Sequence, residues 1–174
     1  GFRDAENSAR CLRLSNEVNN GIQKFAIVEH HKYGRIYAYE TDGLGNYILM
    51  DDANSPSLLS APYIGYCDKN DPVYLNTRRF ILSKDNPWYF EGKAAHGIGS
   101  PHTGKDTIWH ISLVMQILTT DNEAEKHECL KMLSETHAGT FFMHESFNKD
   151  DASDFTRSWF AWANALFAQM LGTL

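Results

Sequence analysis

Three clusters in this 174-residue sequence hold the residue types that could do chemistry. The first is Met50-Asp51-Asp52-Ala53-Asn54-Ser55-Pro56-Ser57. Adjacent carboxylates can cap a helix, bind a cation or accept hydrogen bonds from sugar hydroxyls. Capping just ahead of Pro56 is the plainest role for them. The second is Gly97-Ile98-Gly99-Ser100-Pro101-His102. It lacks the Gly-Lys-Ser/Thr ending of a phosphate loop, so it reads as a tight connection before a helix, with His102 free to donate to a hydroxyl. The third is Met143-His144-Glu145-Ser146-Phe147, followed by Asp150-Asp151 and by Phe155-Thr156-Arg157-Ser158-Trp159. Glu145 beside His144 could be a metal site, a surface pair, or a catalytic carboxylate with a neighbour that orients it.

Several chemistries lose support on spacing. The zinc-protease pattern His-Glu-x-x-His is absent, and the eight histidines have no ligand-like spacing. There is no Gly-x-Ser-x-Gly elbow for a serine nucleophile. Three cysteines, Cys11, Cys67 and Cys129, lie far apart and read as buried thiols rather than a disulfide framework. A net charge of −6 with scattered basic residues disfavours nucleic acid and anionic membrane as partners. No apolar run approaches the roughly 20 residues that span a bilayer. The chain opens at Gly1-Phe2-Arg3 without an initiator Met or a visible secretory signal, so the compartment is open. Carboxylates, aromatic rings and amide or hydroxyl side chains in loops are what a neutral, hydroxyl-rich ligand such as a sugar requires.

The elements that must position these clusters read as helices separated by loops. Cys11, Leu14, Val18, Ile22 and Phe25 recur at three- and four-residue steps and predict an amphipathic helix over residues 4–25. Ile36-Tyr37-Ala38-Tyr39 and Tyr47-Ile48-Leu49-Met50 flank Asp42-Gly43 and predict a short β-hairpin or extended excursion near 36–50. Further helices are expected over 56–65, 72–83, 107–118, 122–136 and 155–171, with residues 86–102 as a long loop. The last helix is apolar nearly all round, which predicts burial and places Trp159 and Trp162 in the core. The expected fold class is all-α, in one domain, with function on the loops.

The clusters together resemble glycoside hydrolase family 125. Tyr39 to Asn46, Met50 to Asn54, Pro56 to Leu59, Pro62 to Tyr66, Asn86-Pro87, Gly97 to His102, Met143 to Phe147 and Arg157 to Asn164 follow that family's order and gaps over nearly the whole chain. The resemblance implies an inverting exo-α-mannosidase acting mainly on α-1,6 linkages of mannose-containing oligosaccharides, without metal or other cofactor. It implies an (α/α)6 toroid, and it assigns the water-activating base to Glu145. Asp51, Asp52, Asn54, His102, His144 and Arg157 are then expected to bind the sugar or shape its pocket, although Asp52 and Arg157 could equally form a structural ion pair.

Two departures stand out. The family's general acid lies in an Arg-Pro-Ser-Asp-Asp-like motif upstream of the segment matching Leu12 to Phe25, and this chain has none. Residues 1–174 are therefore expected to be the carboxy-terminal portion of one catalytic domain, nearly inactive alone and able to self-associate through exposed toroid faces. The second departure is His110 after Trp109, where relatives commonly carry Pro. The alternatives are a non-catalytic carbohydrate-binding or structural helical domain derived from such an enzyme, and a metal-dependent hydrolase.

Overall fold

The structure, a computed structural model, describes residues 4–173; residues 1–3, with the start of the chain, and residue 174 lie outside it. Helix α1 (Ala5–Gly21) begins where the Asp4 carboxylate accepts the Asn7 N–H, a standard amino-terminal cap. It runs through a π-helical turn (Ile22–Ala26) into β1 (Ile27–His30), which pairs antiparallel with β2 (Gly34–Tyr37). A second hairpin joins β3 (Glu40–Thr41) to β4 (Tyr47–Ile48). Its loop is folded around Asp42, whose carboxylate accepts from the backbone of Leu44 and Asn46 and from the Asn46 amide.

Helix α2 (Pro72–Ile81) starts with Pro72 in its first turn and is capped by Asp71, which accepts the Tyr74 N–H. It packs on β2, with Thr77 Oγ1 accepting the Tyr37 N–H at 2.8 Å. Strands β5 (Tyr89–Glu91) and β6 (His96–Ile98) form a third hairpin. The fourth sheet has the order β7 (Thr107–Ile108), β8 (Ser146–Asn148) and β9 (Phe155–Thr156), all antiparallel.

Helix α3 (His110–Leu118) is the spine, since every residue from His110 to Ile117 is buried. Its Ile111, Leu113, Val114 and Ile117 join Cys129, Met132 and Leu133 of α4 (Glu123–Glu135) and Ala163 and Met170 of α5 (Ala161–Leu171) in one core cluster. Met115 and the adjacent Trp109 turn to a second cluster with Ile36, Phe80, Ile81 and Ile98. Each large apolar side chain buried here contributes about 1.5–3 kcal/mol.

The all-α expectation is overturned. Among the described residues five α-helices are accompanied by nine short strands in four antiparallel sheets, and these residues form no clear barrel of helices. Where connections pass through the interior, as at His96–Ile98 and Ser146–Asn148, backbone N–H and C=O groups must find partners, and short strand pairs supply them. Thus Thr107-Ile108 and Phe155-Thr156, expected within helices, are strands flanking β8. Residues 86–102, expected as loop, contain β5 and β6. Ile36 and Tyr37 pair with β1, and the hairpin near them uses only residues 40–41 and 47–48.

The helix expected over 56–65 is a run of turns. There the hydroxyls of Ser57 and Ser60 each accept the other's backbone N–H, a local competition that draws the chain out of helix. Burial also differs at the chain's two ends. Helix α1 has no buried residue, Trp159 is 57% exposed and Trp162 66%, and of the cysteines only Cys129 is buried. The apolar surface of α1 and α5 exceeds what the described residues can cover.

Candidate active site

Glu145 immediately precedes β8, at the end of the connection from α4, and the backbone around it is pinned on both sides. At Met143 the Asn164 side chain of α5 closes a double clamp: its Oδ1 accepts the Met143 N–H at 3.0 Å, and its Nδ2 donates to Met143 O at 2.8 Å. The same Nδ2 donates to Phe160 O at 2.8 Å. At Ser146 the backbone N–H donates to Thr156 Oγ1 at 3.1 Å, and the two hydroxyls are 2.8 Å apart. Phe147, fully buried, registers between Ile108 and Phe155 in the central strand. A carboxylate on such a backbone has little freedom to wander.

The Glu145 side chain is 15% exposed, and its Oε2 accepts from Arg157 Nε at 3.0 Å. Oε1 has no hydrogen-bond partner among the described residues. Arg157 is largely exposed, lies over the Phe160 ring at 5.6 Å, and adopts a left-handed backbone with φ +51. That conformation is unusual for a non-glycine residue and is held by its surroundings. The Arg157 carbonyl faces His144 Nδ1 at 3.1 Å, while its guanidinium holds Glu145. The alternative role for Arg157 and Asp52, a structural ion pair with each other, is not what forms: Arg157 pairs with Glu145.

His144 is fully buried. Its ring stacks on Phe155 at 3.9 Å with 7° between planes, and Nε2 faces His137 O at 3.2 Å. Both ring nitrogens face the chain's own carbonyls, and the one N–H of a neutral imidazole donates to one of them, so His144 shapes the loop from behind rather than reaching out of it.

The first cluster divides in the same way. Asp51 is buried, with Oδ1 accepting Leu58 N–H at 2.8 Å and Oδ2 accepting Leu59 N–H at 2.9 Å. Burial pushes its carboxyl up to about 7, against the two N–H donors that favour the charged form. Asn86 holds the Asp51 backbone from both sides, accepting its N–H and donating to its carbonyl. Asp51 thus organises the turns that follow it. Asp52 is also buried, and one of its oxygens accepts the Asn54 N–H at 2.8 Å, closing a turn that leaves Asn54 half-buried.

The structure joins this cluster to the second through Ala53 N–H, which donates to Gly99 O at 3.0 Å. Gly99 has no room for a side chain, since a Cβ there would lie 2.0 Å from Thr107 O. His102 is exposed, and its ring is 6.4 Å from that of Trp109. Trp109 in turn meets Phe160 edge-on at 6.1 Å, next to Arg157. A continuous run of contacts therefore links the loops of Asp52, His102 and Glu145.

Residues that matter to this geometry but received no role in the sequence are Asn86, His110, Thr156 and Asn164. Asn86 and Asn164 fell within motifs, yet nothing in their spacing reveals which backbone groups they clasp. The larger surface cavities carry no candidate residue: one of about 600 Å³ is lined by His127, Lys131, His137, Phe141 and their neighbours. Among the described residues no group of three or more His, Cys, Asp or Glu could hold a metal ion, and no helix is long and apolar enough to cross a membrane.

Comparison with known proteins follows the same lines. Residues 3–172 match the family described as metal-independent alpha-mannosidase (GH125). The chain is 46% identical over 168 residues to the meiotically up-regulated gene 157 protein of Schizosaccharomyces pombe, covering 96% of this chain and 33% of that protein. It superposes with a TM-score of 0.93 and 46% identity on a metal-independent α-mannosidase of Streptococcus pneumoniae, solved as a non-productive complex with α-1,6-mannobiose. That match covers 98% of this chain and 40% of the solved one, so the chain spans between a third and two-fifths of these relatives. With a matched span that takes in all three loop clusters, Glu145 included, the chain belongs to the GH125 family of metal-independent α-mannosidases.

Proposed function

We propose that this chain contributes the base-bearing part of an inverting exo-α-1,6-mannosidase, with Glu145 as the carboxylate that activates water. In inverting hydrolysis one carboxylic acid protonates the leaving oxygen while a second carboxylate takes a proton from water on the opposite face of the sugar. The observation that carries this reading is the state of Glu145. One oxygen is tied to Arg157, the other has no partner among the described residues, and the backbone is held on either side. A general base needs a lone pair in a fixed direction, within reach of water.

Asp52, Asn54 and His102 are the side chains we assign to the sugar itself, with Arg157 at the edge of the pocket. Asp51 and His144 support it from the interior. The α-1,6-mannobiose in the pneumococcal structure supports that linkage here. The general acid belongs, in this reading, to a part of the catalytic domain outside these 174 residues. The uncovered apolar side chains of α1, together with Trp159 and Trp162, support a larger domain that packs upon them. Without the acid, hydrolysis by residues 1–174 alone should be slower by about 10²–10⁴-fold.

Proton NMR of α-1,6-mannobiose hydrolysis by the full-length protein tests the proposal. β-Mannose should appear first and mutarotate afterwards. α-Mannose as the first product would rule out inversion, and equal rates on α-1,2 and α-1,3 disaccharides would rule out the linkage preference.

A further inference from the structure

His110 is the first residue of α3, is fully buried, and lies behind the Glu145 loop. Its Nδ1 is 2.9 Å from the His144 backbone N, and its Nε2 is 2.9 Å from Thr136 Oγ1. The Thr136 hydroxyl also lies 2.7 Å from Met132 O; giving its one proton to that carbonyl leaves its oxygen to accept from His110 Nε2–H. In that arrangement Nδ1 is the bare nitrogen and accepts the His144 N–H; the His144 carbonyl, 3.1 Å from the same nitrogen, is the acceptor in the opposite tautomer. Burial keeps the ring neutral, pushing its titration down to about 3, so one nitrogen donates and the other accepts. The ring also packs on Phe147 at 4.7 Å and on His144 at 5.5 Å.

We infer that His110 is a positioning residue for Glu145: its Nδ1 fixes the His144 amide, and its Nε2–H anchors that fixed point to the carboxy-terminal end of α4. Asn164 and Thr156 hold the residues two before and one after Glu145, and His110 holds the residue immediately before it. The first position of a helix does not need its own backbone N–H, so the site tolerates many residues on helix grounds. The imidazole is there for what its two nitrogens touch.

The inference rests on Glu145 as the base, and two full-length variants and one measurement on the wild type test it. Asparagine can present an oxygen near the Nδ1 position, whereas phenylalanine keeps the ring and loses the acceptor. His110→Phe should lower kcat on α-1,6-mannobiose about 10-fold or more with KM little changed, and speed deuterium exchange of the His144 amide. His110→Asn should restore kcat to within about 3-fold and restore the protection. Equal losses in both variants, or unchanged exchange in His110→Phe, would overturn the positioning role. Should neither variant fold, ¹⁵N-histidine NMR of the wild type decides: a neutral Nε2–H ring supports the inference, and an Nδ1–H ring overturns it. Glu145→Gln, measured alongside, separates the two readings, because full activity there refutes the base itself while the exchange data still report on His110.

Discussion

Asp51→Asn, followed across pH, isolates the contest between burial and hydrogen bonding at one carboxyl. The folded value of about 7 lies well above the ordinary 3.8. The native state therefore binds the proton more tightly than the unfolded chain. Stability from this group is complete below the unfolded value and is lost as pH rises through the folded one. The gap is about 3 pH units, at about 1.4 kcal/mol each, so the whole loss is about 4 kcal/mol. His110 works in the opposite direction. Its value is depressed from 6.5 to about 3, so its contribution is complete above 6.5 and lost as pH falls toward 3. Between pH 4.5 and 6 the two slopes oppose each other, and the wild type should show a shallow profile.

Asparagine removes one slope. It also offers one acceptor oxygen to two N–H groups, Leu58 and Leu59, which costs about 1–3 kcal/mol at every pH. Relative to wild type, the variant should then gain about 2 kcal/mol between pH 4.5 and 6, read by urea denaturation at fixed temperature. A difference that stays constant over this interval would refute the reasoning. It would mean that the two N–H donors outweigh burial and keep Asp51 charged throughout.

Two further substitutions probe the frame of the site. Gly99→Ala should destabilise by about 1–3 kcal/mol or more, because the new Cβ meets the Thr107 carbonyl, which is backbone and cannot rotate away; a melting temperature within a degree of wild type would contradict the close approach. Asn164→Leu keeps the branched shape but strips Met143 N–H of its acceptor and should cost about 2–4 kcal/mol. Denaturant titration checks it, and a loss under about 0.5 kcal/mol would show that the clamp is dispensable.

The helices were legible where periodicity and caps agreed. Asp4, Asp71 and Asn122 each cap a helix near its predicted start, because a short polar side chain ahead of an amphipathic run has few other uses. Outside the hairpin near residues 36–50, the strands were not legible. Thr107-Ile108 and Phe155-Thr156 are two residues each, too short for any alternation, and their pairing with β8 is a long-range event. Trp159 and Trp162 misled because an apolar helix predicts burial only if its neighbours are in the same chain segment. At the site, the motif around Glu145 was visible, whereas the direction in which each neighbour points was not. Asp51 and His144 look like ligands in a string of polar residues, and the fold turns both inward.

Steady-state kinetics of Glu145→Gln in the full-length protein, on α-1,6-mannobiose, bears most directly on the role of this loop. The amide nearly preserves the shape and can still accept from Arg157, but it cannot take a proton from water. The expected result is a fall in kcat of about 10²–10⁴-fold, with the thermal transition close to that of wild type. A variant that folds normally and turns over at the wild-type rate would contradict Glu145 as the base.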